Sequence, residues 1–326
     1  MVIGGGKLTD FRWDSKEVLV TGGGGFLGSY VVDKLIARGV TRSHIRIPRS
    51  REKDLRIWEN CVEIMKGVNV VIHLAANVGG IGYNEKYPGT LFFDNIIMGT
   101  QLIEAARREK IEKFVAVSTV CAYPKYAPVP FKESDLWNGY PEETNGPYGI
   151  AKKALLVQAQ AYRTQYDFNT IYLLLVNLYG PRDNFRVESS HVIPALIRKM
   201  VDARIKGSRE VVVWGTGEAS REFLYVNDAA KAILLATERY NEADPVNVGA
   251  GFEIKIKDLV GLIAKLTRFD GTIAWDRDRP DGQPRRMLDT SLAYSKFGFK
   301  ASTSLEDGLR QTIDWYETHR VNLETQ

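Results

Sequence analysis

The chain has 326 residues, of which 44% are apolar and 26% charged, with a formal net charge of +4. This ordinary globular composition excludes a disordered or fibrous chain, and the small net charge without a long basic run gives no sign of a nucleic-acid partner. No apolar run reaches the roughly 20 residues that cross a bilayer, and the N-terminus lacks a signal peptide's order, so we expect a cytoplasmic protein without a membrane partner. Two cysteines and four histidines without ligand spacing predict no disulfide framework and no metal site.

The predicted elements alternate between strands and helices. Residues 1–16 are glycine-rich and polar, and we interpret them as a loose leader. The pattern then predicts strands at residues 17–21, 44–48, 68–75, 113–118 and 170–176, with a helix that ends at Gly39 and helices at residues 97–108 and 148–166. This alternation predicts a doubly wound α/β fold, in which helices cover both faces of a parallel sheet in a Rossmann domain.

The regular alternation of predicted strands and helices ends near residue 180. Residues 17–180 are predicted to form the dinucleotide-binding domain, and residues 181–326 a smaller α/β domain that binds substrate. Its segments are short, with one clear strand at residues 210–214. Segments near residues 223–250 can return to the first domain, so the boundary need not be a single cut.

The first predicted strand runs into a glycine-rich turn and then a helix. Gly22, Gly25 and Gly28 are spaced three residues apart, and Phe26 and Leu27 lie inside the motif. A turn of this kind allows close backbone approach and presents a helix N-terminus, where a pyrophosphate binds. The motif therefore predicts a dinucleotide cofactor.

The residues after the second strand bear on which dinucleotide binds. A NAD site usually places an acid on the ribose 2′-hydroxyl at this point, whereas Arg49 and Arg51 favour the 2′-phosphate of NADP. Glu52 and Asp54 lie close enough in sequence to keep NAD as the alternative.

Tyr148 and Lys152 are four residues apart on a predicted helix, so a phenol and an ammonium share one face about one turn apart. A nearby cation favours the phenolate and brings the tyrosine pKa closer to the working range of an acid-base catalyst. Alone, the pair also fits an ordinary surface helix.

Other candidates lie at strand ends and in loops. Thr119 and Cys121 follow the strand at residues 113–118, at the end where ligands bind in open parallel sheets. Thr119 can hold a substrate carbonyl beside Tyr148, while Cys121 is either a catalyst or a small buried apolar residue. Further along, His191 begins a predicted helix. Trp214 and Arg221 flank a pair of glycines, where an indole can stack on a base and a guanidinium can pair with phosphate.

Several strings together make the chain similar to the extended short-chain dehydrogenase/reductase family, from Val18 to about Tyr316. They are the glycine turn with its Gly-x-x-Gly-x-x-Gly spacing, Tyr148-x-x-x-Lys152, Cys121-Ala-Tyr-Pro-Lys, Asn177-Leu-Tyr-Gly-Pro, Ser-Ser-His191-Val-Ile-Pro, Arg221-Glu-Phe-Leu and Arg-Pro-Asp281-Gly. The similarity is strongest to members that use NADPH to convert GDP-4-keto-6-deoxy-D-mannose to GDP-L-fucose. These enzymes epimerise C3 and C5 and reduce the C4 ketone in one site.

The resemblance implies a role for each candidate. Tyr148 is the acid in ketone reduction, Lys152 its cationic partner and Thr119 the assisting hydroxyl, while Cys121 and His191 serve the epimerisation. Inversion next to a ketone needs a base on one face and an acid on the other, and a thiol with an imidazole suits this near pH 7. Further cofactor contacts are expected at Asp54, Leu55, Ala75, Ala76, Asn177, Leu178 and His191, and GDP-sugar contacts at Lys199, Trp214, Arg221 and Asp281.

Alternatives remain open at this point. Residues 54–61 are similar to the same stretch of GDP-mannose 3,5-epimerases, which hold NAD tightly and give no net reduction. An epimerase of that kind, or a related 4-keto-sugar reductase, is therefore the second hypothesis, although His191 favours the epimerase-reductase because those epimerases use a lysine there. A non-catalytic sensor would lack the catalytic set, all of which is present. The resemblance also implies a homodimer that pairs through helices at residues 95–108 and 148–166.

Overall fold

The computed structural model describes residues 11–279 and 281–324. Its strands are β1 (Val18–Thr21), β2 (Ile45–Arg46), β3 (Val70–His73), β4 (Lys113–Thr119), β5 (Thr170–Leu175), β6 (Asn177–Tyr179), β7 (Glu210–Trp214), β8 (Ser220–Arg221), β9 (Phe223–Tyr225), β10 (Val246–Val248), β11 (Ile254–Lys255) and β12 (Thr272–Asp276). Its α-helices are α1 (Phe26–Ala37), α2 (Trp58–Met65), α3 (Ile81–Lys86), α4 (Pro88–Arg108), α5 (Gly146–Tyr166), α6 (Val192–Lys206), α7 (Val226–Arg239), α8 (Ile256–Thr267), α9 (Ser291–Phe297) and α10 (Leu305–Glu324). Within these residues, no helix is long and apolar enough to cross a membrane.

Six parallel strands form the central sheet, in the order β10-β5-β4-β3-β1-β2. The strands β1, β3, β5 and β10 are buried along their whole length, as expected where helices cover both faces of a sheet. The chain runs outward from β1 to β2 and then returns past β1 to β3, so the strand order reverses between β1 and β3. A ligand crevice forms at such a switch point, outside the carboxyl ends of the strands. The predicted doubly wound α/β fold is confirmed.

Two hydrophobic cores position the cavity described below. The first contains the central sheet, with α1 packed on α7 and α4 packed on both α2 and α5. The second lies among α6, α8 and α10 and the parallel pair of β7 and β12. From the segment near residues 223–250, β10 pairs with β5 at the sheet edge, whereas β9 pairs with β6 outside that sheet. The division into domains at residue 180 stays a prediction.

Three expectations need correction. The strand predicted at residues 44–48 is reduced to Ile45–Arg46, because a turn of 3₁₀ helix precedes it and Pro48 has no amide hydrogen to extend the pairing. The helix predicted at residues 97–108 begins already at Pro88, a residue well suited to a first helical turn.

The third correction concerns the predicted leader. Residues 1–10 lie outside the described residues, but the segment 11–16 is attached to the first core through Trp13. Trp13 is 5% exposed within the first core, and its indole nitrogen donates to Glu238 Oε1 at 2.7 Å. One large aromatic side chain with a satisfied N–H is enough to fix a segment whose average composition is polar.

Candidate functional site

A cavity of about 1250 Å³ opens at the carboxyl ends of the central strands. It is lined by the glycine turn after β1, by the residues that follow β2, β3, β4 and β5, and by the loops before α6 and after β7. Every residue that the sequence analysis assigned to catalysis, cofactor or substrate lines this cavity. The structure therefore brings the whole set together, and the role of each residue stays a prediction.

The glycine turn has the geometry of a dinucleotide cradle. Gly22 has a φ of +70°, and a Cβ on it would lie 3.0 Å from the Ala75 nitrogen. A Cβ on Gly28 would lie 2.1 Å from the Gly22 carbonyl oxygen, so the first turn of α1 packs directly on the loop. No side chain caps α1, whose first residues are Phe26 and Leu27, and its leading N–H groups are left for an anion. The turn fits a pyrophosphate.

The two arginines predicted to select NADP occupy different surroundings. Arg51 is paired with Glu52 at 3.0 Å and its side chain is 80% exposed. The guanidinium of Arg49 instead lies over the glycine turn, at Gly24. Asp54, the acid that kept NAD open, is bound by Arg56 at 2.7 Å, and these hydrogen bonds lower the pKa of Asp54.

Tyr148 and Lys152 lie in the first turns of α5 and are buried, at 7% and 2% exposure. Lys152 Nζ donates to the Val117 carbonyl at 3.2 Å, and burial lowers the pKa of Lys152 to about 8. Burial raises the pKa of Tyr148. The expected lowering of the Tyr148 pKa is therefore wrong for this structure, because burial disfavours the charged phenolate. The raised pKa keeps the proton on the phenol, as a catalytic acid requires.

Thr119 ends β4 and caps the short 3₁₀ turn that carries Cys121. Its Oγ1 accepts a hydrogen bond from the Cys121 amide at 3.2 Å, which leaves its own hydrogen for an acceptor in the cavity. The helix α5 passes close to this turn at Gly149, where a Cβ would lie 2.5 Å from the Cys121 carbonyl oxygen. The glycine inside the Tyr148-x-x-x-Lys152 segment thus allows the phenol and the thiol to lie in one site.

Sequence reasoning missed Arg286, which lies beside the Cys121 thiol. Its Nη1 is 3.5 Å from Cys121 Sγ, and its Nε donates to Gln283 Oε1 at 3.1 Å. Gln283 in turn donates to the Lys125 carbonyl at 2.8 Å, which anchors this group to the loop after Cys121. A guanidinium that is only 7% exposed stabilises negative charge on its neighbours. In the sequence Arg286 follows Arg285 and resembles ordinary surface charge.

The two cysteines differ in how far their thiols are exposed. Cys61 is fully buried, its Sγ donates to the Leu55 carbonyl at 3.2 Å, and burial raises its pKa to about 12. A thiol in this state is inert. Cys121 is partly exposed and lines the cavity, where a ligand can reach it, and its catalytic role stays a prediction.

His191 directly precedes α6, and a second glycine loop holds it in place. The Gly80 amide donates to the Ser189 carbonyl at 3.3 Å, and a Cβ on Gly80 would lie 2.7 Å from the Ser190 carbonyl oxygen. The imidazole surface is open to the cavity. Protein nevertheless surrounds it closely enough that desolvation, followed by the positive charge of Arg286, lowers the pKa of His191.

The far end of the cavity carries the residues predicted to bind the nucleotide. Trp214 ends β7 and is 52% exposed. Lys199 Nζ lies 5.9 Å and the Arg279 guanidinium 4.8 Å from its ring centre. Lys199 Nζ also donates to the Val212 carbonyl at 2.9 Å. An exposed indole beside two cations can stack on a base and leave the cations for phosphate.

Arg221 and Asp281 meet in the same region. Arg221 Nη2 donates to the Asp281 carbonyl at 2.9 Å, and the Asp281 carboxylate accepts from the Thr216 amide and hydroxyl at 2.8 and 2.6 Å. Burial, followed by the charge of Arg286, lowers the pKa of Arg221 to about 10, so it stays cationic at neutral pH. The next residue, Glu222, was overlooked as a structural element. Glu222 lies fully buried between β8 and β9 and accepts three backbone hydrogen bonds, at 2.6 to 2.7 Å, from the amides of Ala250, Gly251 and Leu288.

A doubly wound sheet, a glycine cradle and a buried Tyr–Lys pair define the class of dinucleotide-dependent α/β enzymes that act on carbonyl groups. The model of the NAD dependent epimerase/dehydratase family matches residues 18–249, and the chain belongs to this family. Within the described residues, no group of three or more His, Cys, Asp or Glu side chains could hold a metal ion.

Individual relatives are similar to this chain over nearly its whole length. GDP-L-fucose synthase 1 of Arabidopsis thaliana is 39% identical over 316 residues, which cover 96% of each chain. The GDP-L-fucose synthase of Escherichia coli is 34% identical and covers 92% of this chain and 96% of its own. A crystal structure of a GDP-L-fucose synthetase from Naegleria fowleri bound to NADP matches with a TM-score of 0.84 at 25% identity, over 94% of this chain and 96% of that one. The resemblance stated from the sequence is confirmed.

Proposed function

We propose that this chain is an NADP-dependent epimerase-reductase that converts GDP-4-keto-6-deoxy-D-mannose to GDP-L-fucose. One observation carries the proposal: two sets of catalytic side chains line one cavity. Thr119, Tyr148 and Lys152 suit hydride chemistry at a carbonyl, and Cys121 with His191 suits proton transfer at carbon. The substrate follows from the names of relatives that align over nearly the whole chain.

The cradle supports NADP as the cofactor. The turn at Gly22 and the N-terminus of α1 suit the pyrophosphate, and Arg49 suits the 2′-phosphate. Lys152 would hold the nicotinamide ribose, and Asn177 and Leu178 line the cavity where the nicotinamide is expected. When bound there, NADPH would supply the hydride for reduction of the C4 ketone.

In the reduction, Tyr148 donates its phenolic proton to the ketone oxygen as the hydride reaches C4. The ketone becomes an alcohol, and the Lys152 ammonium stabilises the phenolate that Tyr148 leaves behind. Thr119 donates a hydrogen bond to the same oxygen and keeps the carbonyl in line. Burial keeps Tyr148 protonated before the reaction, and the Lys152 ammonium offsets the cost of forming the phenolate as the proton leaves.

The epimerisation uses the acidity of carbons next to the C4 ketone. One member of the Cys121 and His191 pair removes the proton from C3 or C5, and the resulting negative charge moves to the ketone oxygen, where Tyr148 and Thr119 donate hydrogen bonds. The other member returns a proton to the opposite face. Arg286, close to Cys121, stabilises the negative charges that arise in this part of the cavity.

The GDP portion lies at the other end of the cavity. Trp214 stacks on the guanine base, while Arg221 and Lys199 face the diphosphate as cations. Asp281 holds the turn at Thr216 and so fixes the edge of this pocket. Contacts far from the reacting carbons position the sugar for both reactions.

The experiment is to incubate the protein with GDP-4-keto-6-deoxy-D-mannose and NADPH and to follow the loss of nicotinamide absorbance. We expect one NADPH oxidised per sugar converted. Proton exchange at C3 and C5 without oxidation would instead identify an epimerase without net reduction.

Two expectations about the protein's context accompany this proposal. We propose a homodimer, which α4 and α5 would form, because their packed pair presents the exposed apolar side chains Phe93 and Val157. The cytoplasmic location also stays a prediction. The mass in solution, measured by light scattering, tests the dimer.

A further inference from the structure

Gly24 lies inside the glycine turn, yet the dinucleotide spacing of Gly22, Gly25 and Gly28 does not require it. Gly22 has a positive φ, whereas Gly24 does not, so the backbone at Gly24 accepts any L-residue. A Cβ on Gly24 would lie 1.4 Å from Nη1 and 2.6 Å from Cζ of Arg49. The missing side chain at Gly24 therefore makes a place for the guanidinium of Arg49.

The backbone around Arg49 is fixed against the turn. Its carbonyl accepts hydrogen bonds from the amides of Glu52 and Lys53 at 2.9 and 2.7 Å, which closes a tight loop after β2. Ile47, two residues earlier, packs so closely on the turn that a Cβ on Gly23 would lie 3.0 Å from it. In this fold the ribose that carries the 2′-group binds at the end of the second strand. The backbone of Arg49 is therefore fixed at the strand end where that group is recognised.

The charges of the loop separate Arg49 from its neighbours. Of the four cations between residues 49 and 56, Arg51 pairs with Glu52 at 3.0 Å, Lys53 with Glu63 at 2.6 Å and Arg56 with Asp54 at 2.7 Å. Arg49 has no carboxylate partner among the residues that the structure describes. An exposed guanidinium that lies over the turn without a counter-ion among the described residues suits a phosphate dianion, which it can bind through two hydrogen bonds.

We propose that Gly24 determines the preference for NADP over NAD, because its bare Cα seats Arg49 as the ligand of the 2′-phosphate. On this proposal Arg51 contributes little to the affinity for NADP. The inference rests on the proposed use of NADP, but it concerns cofactor binding and not the sugar chemistry.

The test measures the dissociation constants of NADP⁺ and NAD⁺ by titration calorimetry for the wild type, Gly24→Ala, Arg49→Ala, Arg51→Ala and the variant with both Gly24→Ala and Arg49→Ala. Loss of a charged hydrogen-bonding group should weaken NADP⁺ binding about 10- to 100-fold in Gly24→Ala and in Arg49→Ala. Binding of NAD⁺ should change by less than about threefold, since it lacks the phosphate. The double variant should bind NADP⁺ no more weakly than Arg49→Ala alone, because both changes remove the same contact.

Three results would overturn the inference. Gly24→Ala could weaken NADP⁺ and NAD⁺ equally, which would mean that the methyl group disturbs the pyrophosphate turn. Arg51→Ala could weaken NADP⁺ binding more than Arg49→Ala does. The losses of NADP⁺ binding free energy in Gly24→Ala and Arg49→Ala could also add in the double variant. If Gly24→Ala fails to fold, Arg49→Ala, which leaves the turn intact, still tests the premise that Arg49 binds the 2′-phosphate, and an unchanged affinity for NADP⁺ would contradict the inference. A wild type that prefers NADP⁺ but does not turn over the sugar would contradict the proposed reaction and leave this inference standing.

Discussion

Gly149→Ala tests whether the contact between α5 and the Cys121 turn sets the catalytic geometry. The new Cβ would lie 2.5 Å from the Cys121 carbonyl oxygen, where ordinary contact begins at 3.4 Å, so helix and turn must separate by about 0.9 Å. The atoms that the new Cβ would meet belong to the backbone of Cys121 and Ala122, so they cannot rotate away as a side chain could. Overpacking of this size costs about 1–3 kcal/mol, partly offset by the gain of about 1 kcal/mol when alanine replaces glycine in a helix.

The main effect of Gly149→Ala should be on the reaction rates, with a smaller effect on the free energy of unfolding. A shift of about 1 Å in a catalytic group can cost about 100-fold in rate. We therefore expect both C3/C5 proton exchange and C4 reduction to slow by about 10- to 100-fold in Gly149→Ala. The affinity for NADP⁺ should change much less than the rates, because the pyrophosphate cradle at Gly22 is untouched and only the Lys152 contact to the nicotinamide ribose moves with α5.

Single-turnover kinetics with GDP-4-keto-6-deoxy-D-mannose, together with thermal unfolding, measure these effects. The matched control is Gly261→Ala in α8, a helical glycine whose added Cβ would meet nothing within 4 Å. It should keep full activity and gain up to about 1 kcal/mol. If Gly149→Ala behaves like Gly261→Ala in both assays, the close approach of α5 does not organise the site.

Further predictions concern the titrating groups and thiols. The pKa of Lys152 is lowered to about 8, so the ammonium is lost as the pH rises through that value, and kcat for C4 reduction should fall above about pH 8; a rate that stays flat to pH 10 would contradict this assignment. Replacement of Cys121 by serine should suppress solvent-deuterium incorporation at C3 and C5 more than reduction of a pre-epimerised ketone, and equal loss of both would contradict the division of roles. In the folded protein iodoacetamide should alkylate Cys121 and spare Cys61, which is fully buried with its pKa raised to about 12, as peptide mass spectrometry would show; modification of Cys61 at a similar rate would refute the burial argument.

Local patterns predicted the sheet and the cradle because both depend on short-range features. The run Val18–Thr21 followed by Gly22 and Gly28 specifies strand, turn and helix within a dozen residues, and the structure has them at those positions. Tyr148 and Lys152 were likewise recognisable, because a spacing of four residues on a helix fixes their relation before any tertiary contact forms.

Contacts between distant segments were beyond the sequence pattern. Arg286 reaches Cys121 across 165 positions, and nothing local distinguishes it from the neighbouring Arg285. The predicted lowering of the Tyr148 pKa was wrong for the same reason, since burial depends on what the rest of the chain packs around the phenol. Gly24 was one glycine among several until the position of Arg49 showed what its missing side chain allows.

The central claim is that one cavity both epimerises and reduces the sugar. The most direct measurement is an NMR analysis of the product formed from GDP-4-keto-6-deoxy-D-mannose and NADPH in D₂O. The account predicts GDP-L-fucose with deuterium at C3 and C5 and one NADPH oxidised per product. A sugar that carries deuterium but remains a ketone, with NADPH unconsumed, would contradict it.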